Sequence, residues 1–178
     1  VTYTWVDVQQ GQVADDVAIN TLGNTVEAHD AQLALLFVPL RVVKAADESV
    51  PTSTTLQDDN HLFLTLPANG AGDIEMHLFY NAPAAGDLKV SFTGPSGLAM
   101  TWGGFGLNTS TTLIQFGNLT MASFPFNVGG SGGEDHFAIW GNWTTTSGGT
   151  LQLQWAQVAA SGTTIVRAGS SLLVKRFA

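Results

Sequence analysis

The chain has 178 residues, 44% hydrophobic and only 11% charged, with 20 glycines and no cysteine. That is less than half the ~25% charge of an ordinary domain, which disfavours a disordered chain and a helical bundle with Glu- and Lys-rich faces alike. Fourteen acids against six bases give a net charge of −8, which repels phosphate backbones and removes nucleic acid from the expected partners, while the missing cysteines exclude disulfides, thiol nucleophiles and Cys-bound zinc.

Residues 1–12 are read as a docking arm. Tyr3 and Trp5 stand two apart, so they share one side of an extended segment and form a paired aromatic anchor. They either dock on another protein or pack on the chain's own body. Over residues 13–38 the apolar spacing becomes helical. Ile19, Leu22, Val26, His29, Leu33 and Leu36 step by three and four, an a/d seam with one polar position at His29. Asp15 and Asp16 lie near the helix start, where the macrodipole favours negative charge. A helix so lightly charged needs a partner along that seam. It forms a short coiled-coil stalk by self-association or folds against the chain's own sheet.

Pro39 ends the helical pattern, and the period then becomes two. Strands are expected over 40–44, 62–66, 74–80, 88–92 and 98–102. A polar loop is expected up to Asp59, and a break at Gly103-Gly104. Further strands are expected over 111–116, 122–128, 136–143, 150–158, 163–168 and 172–177. So many short strands between Gly, Asn, Ser and Pro turns give a mainly β fold, an antiparallel β-sandwich of jelly-roll type over residues 39–178. In the stretch 151–157, Leu151, Leu153 and Trp155 fall on one face and Gln152 and Gln154 on the other, a half-buried strand with its tryptophan in the core. No membrane span is expected, because no apolar run reaches about 18 residues, and the N-terminal residues lack a signal-peptide pattern.

Several pieces, in order, resemble a β-sandwich module of tailed-bacteriophage virion structural proteins, found among head-decoration, minor tail and fibre proteins. They are Arg41-Val42-Val43-Lys44, Ser53-Thr54-Thr55-Leu56-Gln57-Asp58-Asp59, Leu78-Phe79-Tyr80-Asn81, Asp87 through Pro95, Gly149 through Gln157, and Thr163 through Ser170. The resemblance covers residues 40–178. It implies a trimeric, non-enzymatic protein of the outer virion surface, whose partners are further copies of itself and a major capsid protein or a tail baseplate protein. The trimer comes from the resemblance: Ile19 and Val26 at a with Leu22 at d suit a dimer, while Leu33 at a and His29 at d depart from that pattern. Head decoration is preferred over a tail-fibre tip, because one stalk and one head account for the whole chain.

The chemistry-bearing residues point to binding rather than catalysis. Glu134 and Asp135 are neighbours on a strand and face opposite ways, so they are poorly placed as a catalytic pair. The glycine run before them lacks the Lys-Ser/Thr of a phosphate loop. Neither a Gly-x-Ser-x-Gly elbow nor a His-Glu-x-x-His helix occurs. Asp58 and Asp59 with His61 have the residue types of a metal site, but two acids in a polar loop are expected to be solvated, so no metal or other cofactor is assigned. Trp140, Asn142 and Trp143 are candidate glycan contacts, since an exposed indole beside an amide suits a sugar ring. Their alternative is packing in the sandwich or at a subunit contact.

Overall fold

Alternation of apolar and polar residues forces a strand to turn one face to the interior, and a chain with many such strands buries them by stacking two sheets. The computed structural model describes residues 39–177. The expected docking arm and stalk helix, with Tyr3, Trp5, Ile19, Leu22, Val26, His29, Leu33 and Leu36, lie outside the described residues. Twelve strands follow: β1 (Leu40–Val43), β2 (Glu48–Pro51), β3 (Gln57–Leu66), β4 (Ala71–Asn81), β5 (Leu88–Thr93), β6 (Ala99–Leu107), β7 (Leu113–Thr120), β8 (Phe126–Val128), β9 (Glu134–Thr144), β10 (Gly149–Ala156), β11 (Thr163–Val166) and β12 (Ser171–Arg176).

All pairings are antiparallel. The larger sheet runs β1-β12-β4-β9-β6-β7, with β11 joining β2 to β4, and the smaller runs β3-β10-β5-β8. From β2 to β6 and again from β7 to β11 the chain alternates between the sheets, so that β2-β11-β4-β9 faces β3-β10-β5-β8, which is jelly-roll wrapping, and β1 lies beside β12. The β6-β7 hairpin widens the larger sheet beyond β9. One core lies between the sheets, built from Leu62, Leu64, Leu88, Val90, Leu151, Leu153 and Trp155 of the smaller and Ile74, Met76, Leu78, Phe137, Ile139 and Trp143 of the larger. Trp102 closes it beneath the hairpin, stacked on Phe124 with ring centres 4.7 Å apart and edge-on to Phe116 and Phe126. Tyr80 is fully buried, donates its hydroxyl to the Gly129 carbonyl at 2.6 Å and ties the glycine-rich loop to the core. Burial pushes its hydroxyl above the ordinary tyrosine range, with Asp135 and Asp87 adding to the shift.

Three expectations change. The polar loop up to Asp59 contains β2, which pairs with β11, and the start of β3, where Gln57 and Asp58 pair with β10. Gly103-Gly104 does not break β6. The strand continues through both glycines with a bulge against β7, and a Cβ on Gly104 would lie 2.0 Å from the Ala138 carbonyl oxygen. Glycine is there for close backbone approach inside a strand. Residues 122–128 are not one strand: a 3-10 turn (Met121–Ser123) and Pro125 precede the short β8.

Candidate functional site

Two side-chain constellations stand out among the described residues, one inside the sandwich and one on the outer face of the larger sheet. The inner one is electrostatic. Lys44 Nζ lies 2.7 Å from Asp59 Oδ2 and 2.7 Å from Glu48 Oε2, and 3.4 Å from His61 Nδ1. The Lys44 and Asp59 side chains are both 0% exposed. Asp59 Oδ1 accepts the backbone N–H groups of His61 and Leu62, and Oδ2 also accepts Trp155 Nε1–H at 3.1 Å. A buried carboxylate persists only when its lone pairs are filled this way. Glu48, Asp59 and His61 bring ligand atoms within 4.8 Å of one another, but the cation they surround is the Lys44 ammonium. Of the two acids expected to be solvated, only Asp58 is exposed, where it accepts from Gln154 Nε2 at 2.8 Å.

The outer constellation follows from strand register. On β4, Asp73, Glu75, His77 and Phe79 point away from the core; on β9, His136, Trp140 and Asn142 do the same. Cross-strand pairing sets Asp73 opposite Asn142, Glu75 opposite Trp140 and Phe79 opposite His136. Trp140 is 47% exposed and Phe79 44%. Phe105 of β6 leans on both Trp140 and His136, with ring centres 5.8 and 5.7 Å away. A hydrogen-bonded chain crosses the same face. Glu75 Oε1 accepts His77 Nε2–H at 2.8 Å, and in the neutral His77 ring Nδ1 is then the acceptor for His136 Nε2–H at 3.1 Å. Burial and then the neighbouring His77 hold the His136 imidazole below its ordinary pKa.

The three candidate glycan contacts therefore separate. Trp140 and Asn142 share the exposed face, and Asn142 Nδ2 donates to Asp73 Oδ1 at 2.8 Å. Trp143 is a correction: it has the strand parity of Phe137 and Ile139, is 1% exposed and donates Nε1–H to the Asp73 carbonyl inside the protein. Glu134 and Asp135 also separate. Glu134 receives the Arg167 guanidinium, which also donates to Asp47 at 2.7 Å, and Asp135 accepts from Ser131. The Arg167 hydrogen bond holds the Glu134 carboxyl below its ordinary value; at Asp47 the Ala168 backbone N–H does so first and Arg167 second. The histidine chain was missed because the sequence gives no signal that His77 and His136, 59 positions apart, lie side by side.

A cleft of about 310 Å³ lies on one side of Trp140, lined by Asp73, Glu75, Asn142, Leu173 and Lys175 among others. A second, of about 260 Å³, lies on the other side over Gly103, with Thr101, Gln115 and Asn118 in its walls.

No family model and no curated protein matches the chain. Among solved structures it is similar to the tripod from the baseplate of bacteriophage Tuc2009, at 11% identity and TM-score 0.32, covering 75% of this chain and 64% of that one. It is also similar to CBM35 from Cellvibrio japonicus Abf62, at 10% identity and TM-score 0.33, covering 79% and 99%. A third is the VP2 subviral particle of infectious bursal disease virus, at 12% identity and TM-score 0.23, covering 78% and 41%. The chain thus spans less than two thirds of the tripod and VP2 chains. Such identities and scores fix no family.

Proposed function

We propose that this chain is a structural protein of a tailed-phage particle, a trimeric capsid decoration protein that acts by binding and carries out no catalysis. One observation carries the reading. Three of the pieces that resemble phage virion sandwich modules lie far apart in sequence and meet in one place. Lys44 from the first, Asp59 from the second and Trp155 from the Gly149–Gln157 piece form the buried ion cluster, and Ser53 donates its N–H to Gln157 Oε1 at 3.0 Å. The resemblance thus falls on residues that hold the two sheets together, as expected for a framework shared by proteins with different attachments.

The mechanism follows from multivalency. A trimer that touches several capsid subunits adds contacts which expansion or unfolding of the shell must break, and three weak sites act as one strong one. The arm supplies the docking groups, Tyr3 and Trp5, and the seam from Ile19 to Leu36 joins the three chains. The test is co-sedimentation of protein lacking residues 1–8 with particles stripped of the native protein. A folded oligomer that no longer binds supports the reading. Retained full-length affinity reverses the orientation, and a monomer at micromolar concentration removes the stalk and the avidity.

The second reading is a receptor-binding tail-fibre tip that recognises a host glycan. It is favoured by Trp140, exposed beside Asn142 on the open sheet face. Immunogold labelling separates the two: uniform label over the head supports decoration, and label at one vertex supports the tip.

A further inference from the structure

We infer that the outer face of the larger sheet around Trp140 is a saccharide platform for a neutral oligosaccharide. The inference deepens the receptor-binding reading and rests on it for biological context only; its chemistry comes from the register of four strands. One row across the sheet runs Lys175, Asp73, Asn142, Thr101, and the next runs Leu173, Glu75, Trp140, Gly103. A line of four hydrogen-bonding side chains therefore lies beside an indole that is 47% exposed.

A pyranose has the matching character. One face presents C–H groups that pack on an aromatic ring, and its rim carries hydroxyls that need donors and acceptors. A sugar seated on Trp140 has Glu75 directly across the strand pair, with Asp73 and Asn142 in the adjacent row. The Asn142 amide is already oriented by its 2.8 Å hydrogen bond to Asp73, so less side-chain entropy is lost on binding. Gly103, directly opposite on β6, carries no side chain to screen the indole. The two clefts, of about 310 and 260 Å³, flank it on both sides, so a chain of sugars passes over Trp140 rather than ending at it.

Charge selects the class. Two carboxylates, Asp73 and Glu75, face one cation, Lys175, so a uronate or sialate would bring a third negative charge to a negative site. A protein partner would have to strip water from all three charged groups at once. A neutral hexose or N-acetylhexosamine chain carries neither cost.

The experiment titrates the full-length protein with neutral gluco-, galacto-, manno- and N-acetylglucosamine-configured mono- to tetrasaccharides, and with uronate- and sialate-bearing counterparts, by calorimetry and tryptophan emission. At least one neutral series is expected to bind saturably, the tetrasaccharide several-fold more tightly than the monosaccharide. Trp140→Ala is expected to weaken it by about tenfold or more and Asn142→Ala by a few-fold, with Trp140→Phe retaining part of the affinity and urea midpoints unchanged. The inference is overturned if no sugar binds at millimolar concentration, if only acidic sugars bind, or if Trp140→Ala leaves affinity intact. A smaller oligomer for Trp140→Ala with no sugar binding by the native protein would instead assign the face to a second copy. Particle labelling is read separately, so a failed platform and a failed virion assignment give different results.

Discussion

Replacing Lys44 by methionine tests the buried ion cluster most directly. Both side chains of the Lys44–Asp59 pair are 0% exposed and 2.7 Å apart. Methionine fills most of the volume but removes the charge, leaving the Asp59 carboxylate buried with three N–H donors and no cation. Breaking one partner of such a pair costs about 3–5 kcal/mol, and at about 2–4 °C per kcal/mol for a chain of this size the melting temperature falls by roughly 6–20 °C. Asp59→Leu is expected to cost more, because it also orphans the N–H groups of His61, Leu62 and Trp155, each worth about 1–3 kcal/mol when buried unpaired. The double variant should be no less stable than Asp59→Leu alone, since the buried ammonium, left with Glu48 as its one close carboxylate, has gone too. Equilibrium urea unfolding followed by tryptophan emission measures all three, with an unchanged slope as the control for two-state behaviour. A Lys44→Met protein within about 1 kcal/mol of the native one, or additive effects in the double-variant cycle, refutes the argument.

The two tryptophans of β9 should part company: Trp143→Ala is expected to lose about 3–5 kcal/mol as a core truncation, whereas Trp140→Ala stays within about 1 kcal/mol, both read by urea midpoint. Gly104→Ala should cost about 1–3 kcal/mol or more, because its Cβ meets the Ala138 carbonyl oxygen, while Gly117→Ala, which meets nothing within 4 Å, should be close to neutral. His136 faces His77, Phe79 and Phe105, with Glu75 reached through His77, and its folded pKa lies below the unfolded value near 6.5. The unfolded chain therefore binds the extra proton, so stability is full above about pH 6.5 and declines as pH falls towards the folded pKa. His136→Gln should flatten that decline in urea midpoints measured between pH 7.5 and 5, and an unchanged profile would count against the assignment.

Strand periodicity made much of this molecule legible. Leu62, Leu64 and Leu66, or Leu151, Leu153 and Trp155, declare their faces because side chains alternate with period two, whatever the partner strand is. Two sheets with an apolar layer between them follow from enough such runs. The same parity puts Trp140 opposite Phe137 and Ile139, and Trp143 with them, once β9 is regular along its length. The polar residues behaved differently. Asp58 and Asp59 are adjacent acids in a polar stretch, and nothing local distinguishes them. Tertiary structure buried one and left the other in water, because Lys44 and Trp155, 15 and 96 positions away, supply charge and a hydrogen bond to Asp59 alone. Gly103 and Gly104 carry the local signature of a chain break, yet their reason is a backbone that passes within contact distance on a neighbouring strand. His77, His136 and the row from Lys175 to Thr101 likewise exist only as a consequence of register. An apolar side chain is driven from water by its own surface, so its burial is written in its spacing; a buried charge is tolerated only where another part of the chain arrives to compensate it, and that arrival is a property of the fold.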